Sequence, residues 1–149
     1  MANTLLTPTI IAKEALMVLK NNHLRPGIAL QSLRPSFQTI QGNRQVFVLS
    51  GTAVNRNPVS VREVRLEGHI FNAEGKEIDR QIISVGNAIS AKMLRDLTAQ
   101  EISILQRLNP QKRFEIHSDE SAGFVMVFLK PSAEVKNFSC RVLSVEAGV

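Results

Sequence analysis

The chain predicts a mainly β fold, an antiparallel sandwich of two sheets with about seven strands. Three observations lead there. Beyond Pro26-Gly27 the hydrophobic period changes from 3.6 to 2, the alternating runs are rich in β-branched residues, and Gly, Asn and Pro separate them at short intervals. The 149 residues, 44% apolar and 21% charged, suit one globular unit with a packed core and exclude global disorder and fibrous repeats.

At the N-terminus, Thr7 can cap a helix, Pro8 occupies a first-turn position where a missing N–H costs nothing, and Ile11, Ala12, Ala15, Leu16 and Leu19 recur at helical spacing. This predicts an amphipathic helix near 8–21. Leu24-Arg25-Pro26-Gly27 breaks it, so residues 1–26 read as a helical arm with linker and residues 27–149 as the β-sandwich domain. Strands are expected over Ile28–Leu33, Gln45–Asn55, Val64–Ile70 and Glu77–Val85, the last two joined by the turn Asn72-Ala73-Glu74-Gly75-Lys76. A helical insertion is expected near 90–108, with Ser90 and Thr98 as caps and Thr98-Ala99-Gln100-Glu101 matching a reciprocal capping box. Asn109-Pro110 ends it, and three strands are expected over Arg113–His117, Gly123–Leu129 and Lys136–Glu146.

The charge excess of +5 is spread among interleaved acids, as in Arg62-Glu63-Val64-Arg65-Leu66-Glu67, which reads as a solvated sheet face. The seven Phe lie mostly in apolar runs rather than beside a basic groove, which argues against a nucleic-acid interface. Ile10–Leu19 carries Lys13 and Glu14 and falls short of the roughly 20 apolar residues of a membrane span. The chain is therefore expected to be soluble as it stands, and its N-terminus lacks the order of a secretory signal. Cys140 has no second cysteine with which to form an internal disulfide or a thiolate metal cluster.

Candidate sites are sparse. Asn55 ends a strand and reads as its terminator rather than as a ligand-gripping group. His23, His69 and His117 lack zinc-site spacing, and no metal or cofactor is expected. Asp119 and Glu120 read as a turn rather than an acid–base pair. Cys140 shares a strand face with Phe138 and Val142 and reads as a small buried hydrophobe. No phosphate loop or nucleophile elbow occurs, and no small-molecule ligand is expected. The candidate interaction face is the apolar stripe of the N-terminal helix, Ile11, Ala15, Leu16 and Leu19, since a helix this short needs a partner surface.

Two stretches resemble known families. Gly27-Ile28-Ala29-Leu30, Gly51-Thr52-Ala53-Val54-Asn55-Arg56, Phe71-Asn72-Ala73-Glu74-Gly75-Lys76, Gly86-Asn87, Leu94-Arg95-Asp96-Leu97 and Phe124-Val125-Met126-Val127-Phe128 carry a resemblance of residues 27–146 to a bacterial domain of unknown function, usually found behind a zinc ribbon and one transmembrane helix. This resemblance implies an immunoglobulin-like sandwich facing the periplasm, with no activity assigned. Residues 1–22, Met-Ala-Asn-Thr-Leu-Leu-Thr-Pro-Thr-Ile-Ile-Ala-Lys-Glu-Ala-Leu-Met-Val-Leu-Lys-Asn-Asn, resemble the N-terminal arm of major capsid proteins of tailed phages, which implies a fusion. The expected function is a non-enzymatic binding or scaffolding module of a bacterial envelope protein, with a protein partner or self-association. The alternative is a virion or assembly component attached through its arm.

Overall fold

The computed structural model describes residues 23–110, 114–130 and 134–148. The chain builds six strands: β1 Ile28–Ile40, β2 Arg44–Asn55, β3 Val61–Phe71, β4 Glu77–Ser84, β5 Ser121–Phe128 and β6 Asn137–Ala147. They form two antiparallel sheets of three, ordered β1-β2-β5 and β4-β3-β6. The amphipathic helix near 8–21, with Ile11, Ala15, Leu16 and Leu19, lies outside the described residues.

Two expectations need correction. The first strand runs to Ile40 rather than stopping at Leu33. It absorbs Pro35 because β1 is an edge strand with no partner on one side, and a bulge between Gln31 and Arg34, with Ser32 at φ 55°, re-aims the chain. The segment Arg113–His117, expected as a strand, contributes only the bridge Val61–Ile116 among its described residues. A turn closes at once behind it, with Glu120 N donating to His117 O at 3.0 Å and Asp119 at φ 67°. Six strands, not about seven, therefore stand among the described residues.

The two sheets face each other across one core. Phe47, Leu49, Ala53, Phe124, Met126 and Phe128 from the first sheet meet Val64, Leu66, Ile70, Ile83 and Val145 from the second. Gly68 lets the sheets approach closely, since a Cβ there would overlap the Met126 sulfur. The β3–β4 hairpin closes through Asn72, whose Oδ1 accepts from Glu74 N at 3.0 Å and Lys76 N at 2.9 Å, with Gly75 supplying φ 80°.

A third layer covers the first sheet's other face. Ile40, Val46, Val48, Val125 and Val127 pack under Ile89, Leu94 and Ile102. The last two come from the insertion, which consists of a 3₁₀ segment, Ala91–Asp96, and a helix, α1, Ala99–Arg107. Thr98 and Glu101 form the expected capping box, Glu101 N donating to Thr98 Oγ1 at 3.1 Å and Thr98 N to Glu101 Oε1 at 2.9 Å. Ser90 makes no side-chain cap, because it opens the 3₁₀ segment rather than an α-helix. Buried Gln106 fixes the layer. Its Nε2 donates to Val127 O at 3.0 Å and its Oε1 accepts from Val127 N at 2.8 Å, so a carboxamide takes the place of a neighbouring strand on the β5 edge.

Phe128 is fully buried between the sheets. Phe128→Ala should cost about 3–5 kcal/mol of unfolding free energy in a denaturant titration, and a loss below about 1 kcal/mol would contradict its place in the core.

Candidate functional site

The two long sides of the sandwich are finished differently. On the β4–β5 side, Gln81 Nε2 donates to Val127 O at 3.3 Å, beside the Gln106 contacts. On the β1–β6 side, Leu30 and Leu33 from β1 and Phe138, Cys140 and Val142 from β6 stay only partly covered by the core. Arg25 bridges this side at one end, its Nη1 donating to Leu143 O at 3.3 Å.

At the other end the opening becomes a hollow of about 260 Å³, lined by Pro35, Ser36, Phe37, Phe47, Val135, Lys136, Asn137 and Phe138. Its floor is aromatic. Phe47 meets Phe37 edge to face at 5.4 Å between ring centroids, Phe128 at 6.0 Å and Phe138 at 6.4 Å, so a line of rings leads from the core to the surface. Phe37 ends this line 48% exposed. Beyond it lies a second hollow of about 730 Å³ between Phe37–Ile40 and Ala91, Lys92 and Arg95. The smaller hollow is below the range that encloses a drug-sized ligand and fits a few side chains of a docking segment.

The polar clusters are explained by the fold. Asn55, fully buried, spends every hydrogen-bonding atom of its side chain: Nδ2 donates to Val59 O at 2.8 Å and Ile116 O at 2.9 Å, while Oδ1 accepts from Asn57 N and Nδ2, both at 3.0 Å. Asn57 Nδ2 also reaches Leu24 O at 3.0 Å, and Ser118 Oγ donates to Asn57 O at 2.6 Å. Asp119 and Glu120 act here through their backbones, Asp119 N donating to Asn55 O at 2.6 Å and Glu120 O accepting from Asn55 N at 2.9 Å. Asn55 is thus more than a strand terminator: it joins segments far apart in sequence.

On the outer face of β3, Glu67 is only 6% exposed, covered by neighbours rather than solvated as the charge pattern suggested. Arg141 Nη2 lies at 2.7 Å and its Nε donates at 2.8 Å, with His69 Nε2 at 3.4 Å and Arg80 at 4.0 Å. The Arg141 hydrogen bond holds the Glu67 carboxyl below the ordinary range, against a smaller opposing push from desolvation. Glu146 is displaced the other way, raised chiefly by its hydrogen bond with Glu63 and then by burial. Burial alone pushes the Cys140 thiol up to about 11, which keeps it protonated at neutral pH.

The three histidines occupy separate neighbourhoods. His69 bonds Glu77 and stacks on Phe71 at 6.2 Å, His117 bonds Ser60 Oγ at 2.9 Å, and His23 lies exposed at the first turn. Among the described residues no group of His, Cys, Asp and Glu is placed to hold a metal, and no helix is long and apolar enough to cross a membrane. No family model, curated protein or solved structure matches the chain.

Asn55→Ala removes the side-chain partner of Val59 O and Asn57 N, and one of the two partners of Ile116 O and of the Asn57 carboxamide nitrogen, and should cost at least about 2 kcal/mol in chemical denaturation. Glu67 binds its proton at lower pH in the folded chain than in the unfolded one. Its stabilisation is therefore complete above the ordinary carboxylate pKa and lost as pH falls through the lower folded value. Stability measured against pH should fall less steeply in Glu67→Gln than in the native chain below the ordinary carboxylate range, and parallel curves would refute the assignment.

Proposed function

We propose that this chain is a non-enzymatic β-sandwich module that binds or scaffolds a protein partner, and that its contact surface is the groove between β1 and β6. The exposed ring of Phe37, continuous with the core through Phe47, carries this reading. An aromatic anchor seated on a rigid sheet adds contact area with little further ordering on binding, which is the character of a hot spot. The titratable groups with shifted protonation favour the same class. Glu67 is spent on Arg141 and Glu146 on Glu63, and the Cys140 shift comes from burial alone, so each has a structural cause.

The finer placement rests on resemblance. Residues 27–146 resemble a bacterial domain usually found behind a zinc ribbon and one transmembrane helix, and we read the two antiparallel sheets as an immunoglobulin-like sandwich belonging to an envelope protein and facing the periplasm.

The groove is tested by selection of binders from a random peptide library against the full chain. Selected peptides should weaken by at least about tenfold on Phe37→Asp and be indifferent to Arg80→Ala on the outer face of the other sheet. Peptides that bind Phe37→Asp as well as the native chain would remove the groove from the reading.

A further inference from the structure

Phe37 lines both hollows, and the charged residues that line them with it have one sign. Lys136 stands in the wall of the smaller hollow, and Lys92 and Arg95 in that of the larger, while no Asp or Glu lines either among the described residues. All three cations are exposed, two on the 3₁₀ segment and one just before β6. Among the described residues none of the three has a carboxylate within ion-pair distance, whereas Arg141 and Arg80 on the other sheet are drawn to Glu67. Asp96 and Glu134 are neighbours in sequence but line neither hollow. Elsewhere bases alternate with acids, as in Arg62-Glu63-Val64-Arg65-Leu66-Glu67, so this end of the groove is set apart by cations left without acids.

We propose that the partner met here is an acidic segment of another protein: one apolar side chain enters the smaller hollow beside Phe37, and carboxylates on either side of that anchor meet Lys136, Lys92 and Arg95. The inference rests on the groove being a contact surface and names the chemistry of its occupant. Aromatic contact with Phe37, Phe47 and Phe138 supplies area but does not tell one apolar segment from another. The cations do: they favour an approaching carboxylate, oppose a Lys or Arg, and speed the encounter. Exposed pairs of this kind are individually weak and are screened over about 10 Å at 0.1 M salt, so they select and steer while the apolar anchor holds. A single strand of nucleic acid is the less suited anion. It stacks its bases on successive aromatic platforms along a basic track, and Phe37 is the one exposed Phe among the described residues.

The full chain is used to select from a library of capped peptides in which the residues flanking a central Leu or Phe are random. Selected peptides should be enriched in Asp and Glu and depleted of Lys and Arg relative to the unselected library. The tightest of them should weaken at least about fivefold on Arg95→Glu and on Lys136→Glu, and should bind less well in about 0.5 M than in about 0.05 M NaCl. Arg56→Glu makes the same change of charge beside the Ile28–Asn55 end of β1 and should alter binding less than about twofold. Unfolding midpoints measured in parallel show that each variant remains folded. Peptides without acidic enrichment overturn the proposal. An equal loss on Arg56→Glu also overturns it, reducing the effect to the net charge of +5. So does displacement of the peptides by an oligothymidylate that binds more tightly than they do, which assigns the cations to a nucleic acid. Peptides weakened by Phe37→Ser but indifferent to both reversals overturn the charge selection and leave the groove standing. Peptides indifferent to Phe37→Ser, or a library that yields no binder, remove the groove and this proposal with it, so the two failures are distinguishable.

Discussion

The end of the sandwich where the chain changes sheets depends on the Asn55 carboxamide. β2 belongs to one sheet and β3 to the other, and Asn57 and Val59 lie in the crossing between the two ladders. Backbone groups in a crossing of this kind must still find hydrogen bonds or bear the desolvation cost. Asn55 answers from the last position of β2, binding Val59 O ahead of it and Ile116 O from the segment that leads into β5. Asn57 extends the link to Leu24 O, before β1. Three segments are thus held together by the carboxamides of Asn55 and Asn57.

With that end pinned, the sandwich is asymmetric. The first sheet is buried on both faces, by the second sheet and by the helical insertion, and its β5 edge is closed by Gln106. The second sheet is covered on one face only, and its outer face carries the ion network around Glu67. The side where β1 and β6 stand apart remains open, so the candidate site is where three layers leave one seam incomplete.

Much of this is legible in the sequence and some is not. The runs Val46–Leu49 and Phe124–Phe128 are apolar at every position, which marks strands buried on both faces and so requires a layer beyond two sheets. Alternation in Val64, Leu66 and Ile70, the capping box at Thr98 and Glu101, and the common face of Phe138, Cys140 and Val142 arise from local periodicity and are present in the fold. Phe37 is hidden in the sequence because Pro35 resembles the end of a strand, although a hairpin turning at Gly42-Asn43 places Phe37 opposite Phe47. The reach of Asn55 to Ile116, 61 residues away, has no local signature. Nor does the cover over Glu67, since Arg141 arrives from a strand 74 residues later.

Under the proposed reading, the open seam also constrains how a partner would approach. An edge strand ordinarily invites strand addition, because its outward N–H and C=O groups are unpaired. β1 is poorly suited to it: the bulge at Ser32 interrupts its register, and Pro35 has no N–H to give at the hollow itself. β6 has Leu143 O occupied by Arg25. Backbone pairing is thus interrupted at several points along the seam, while Phe37 stays exposed at the hollow. A partner of the kind proposed above would then be met through side chains entering the groove rather than through an added strand.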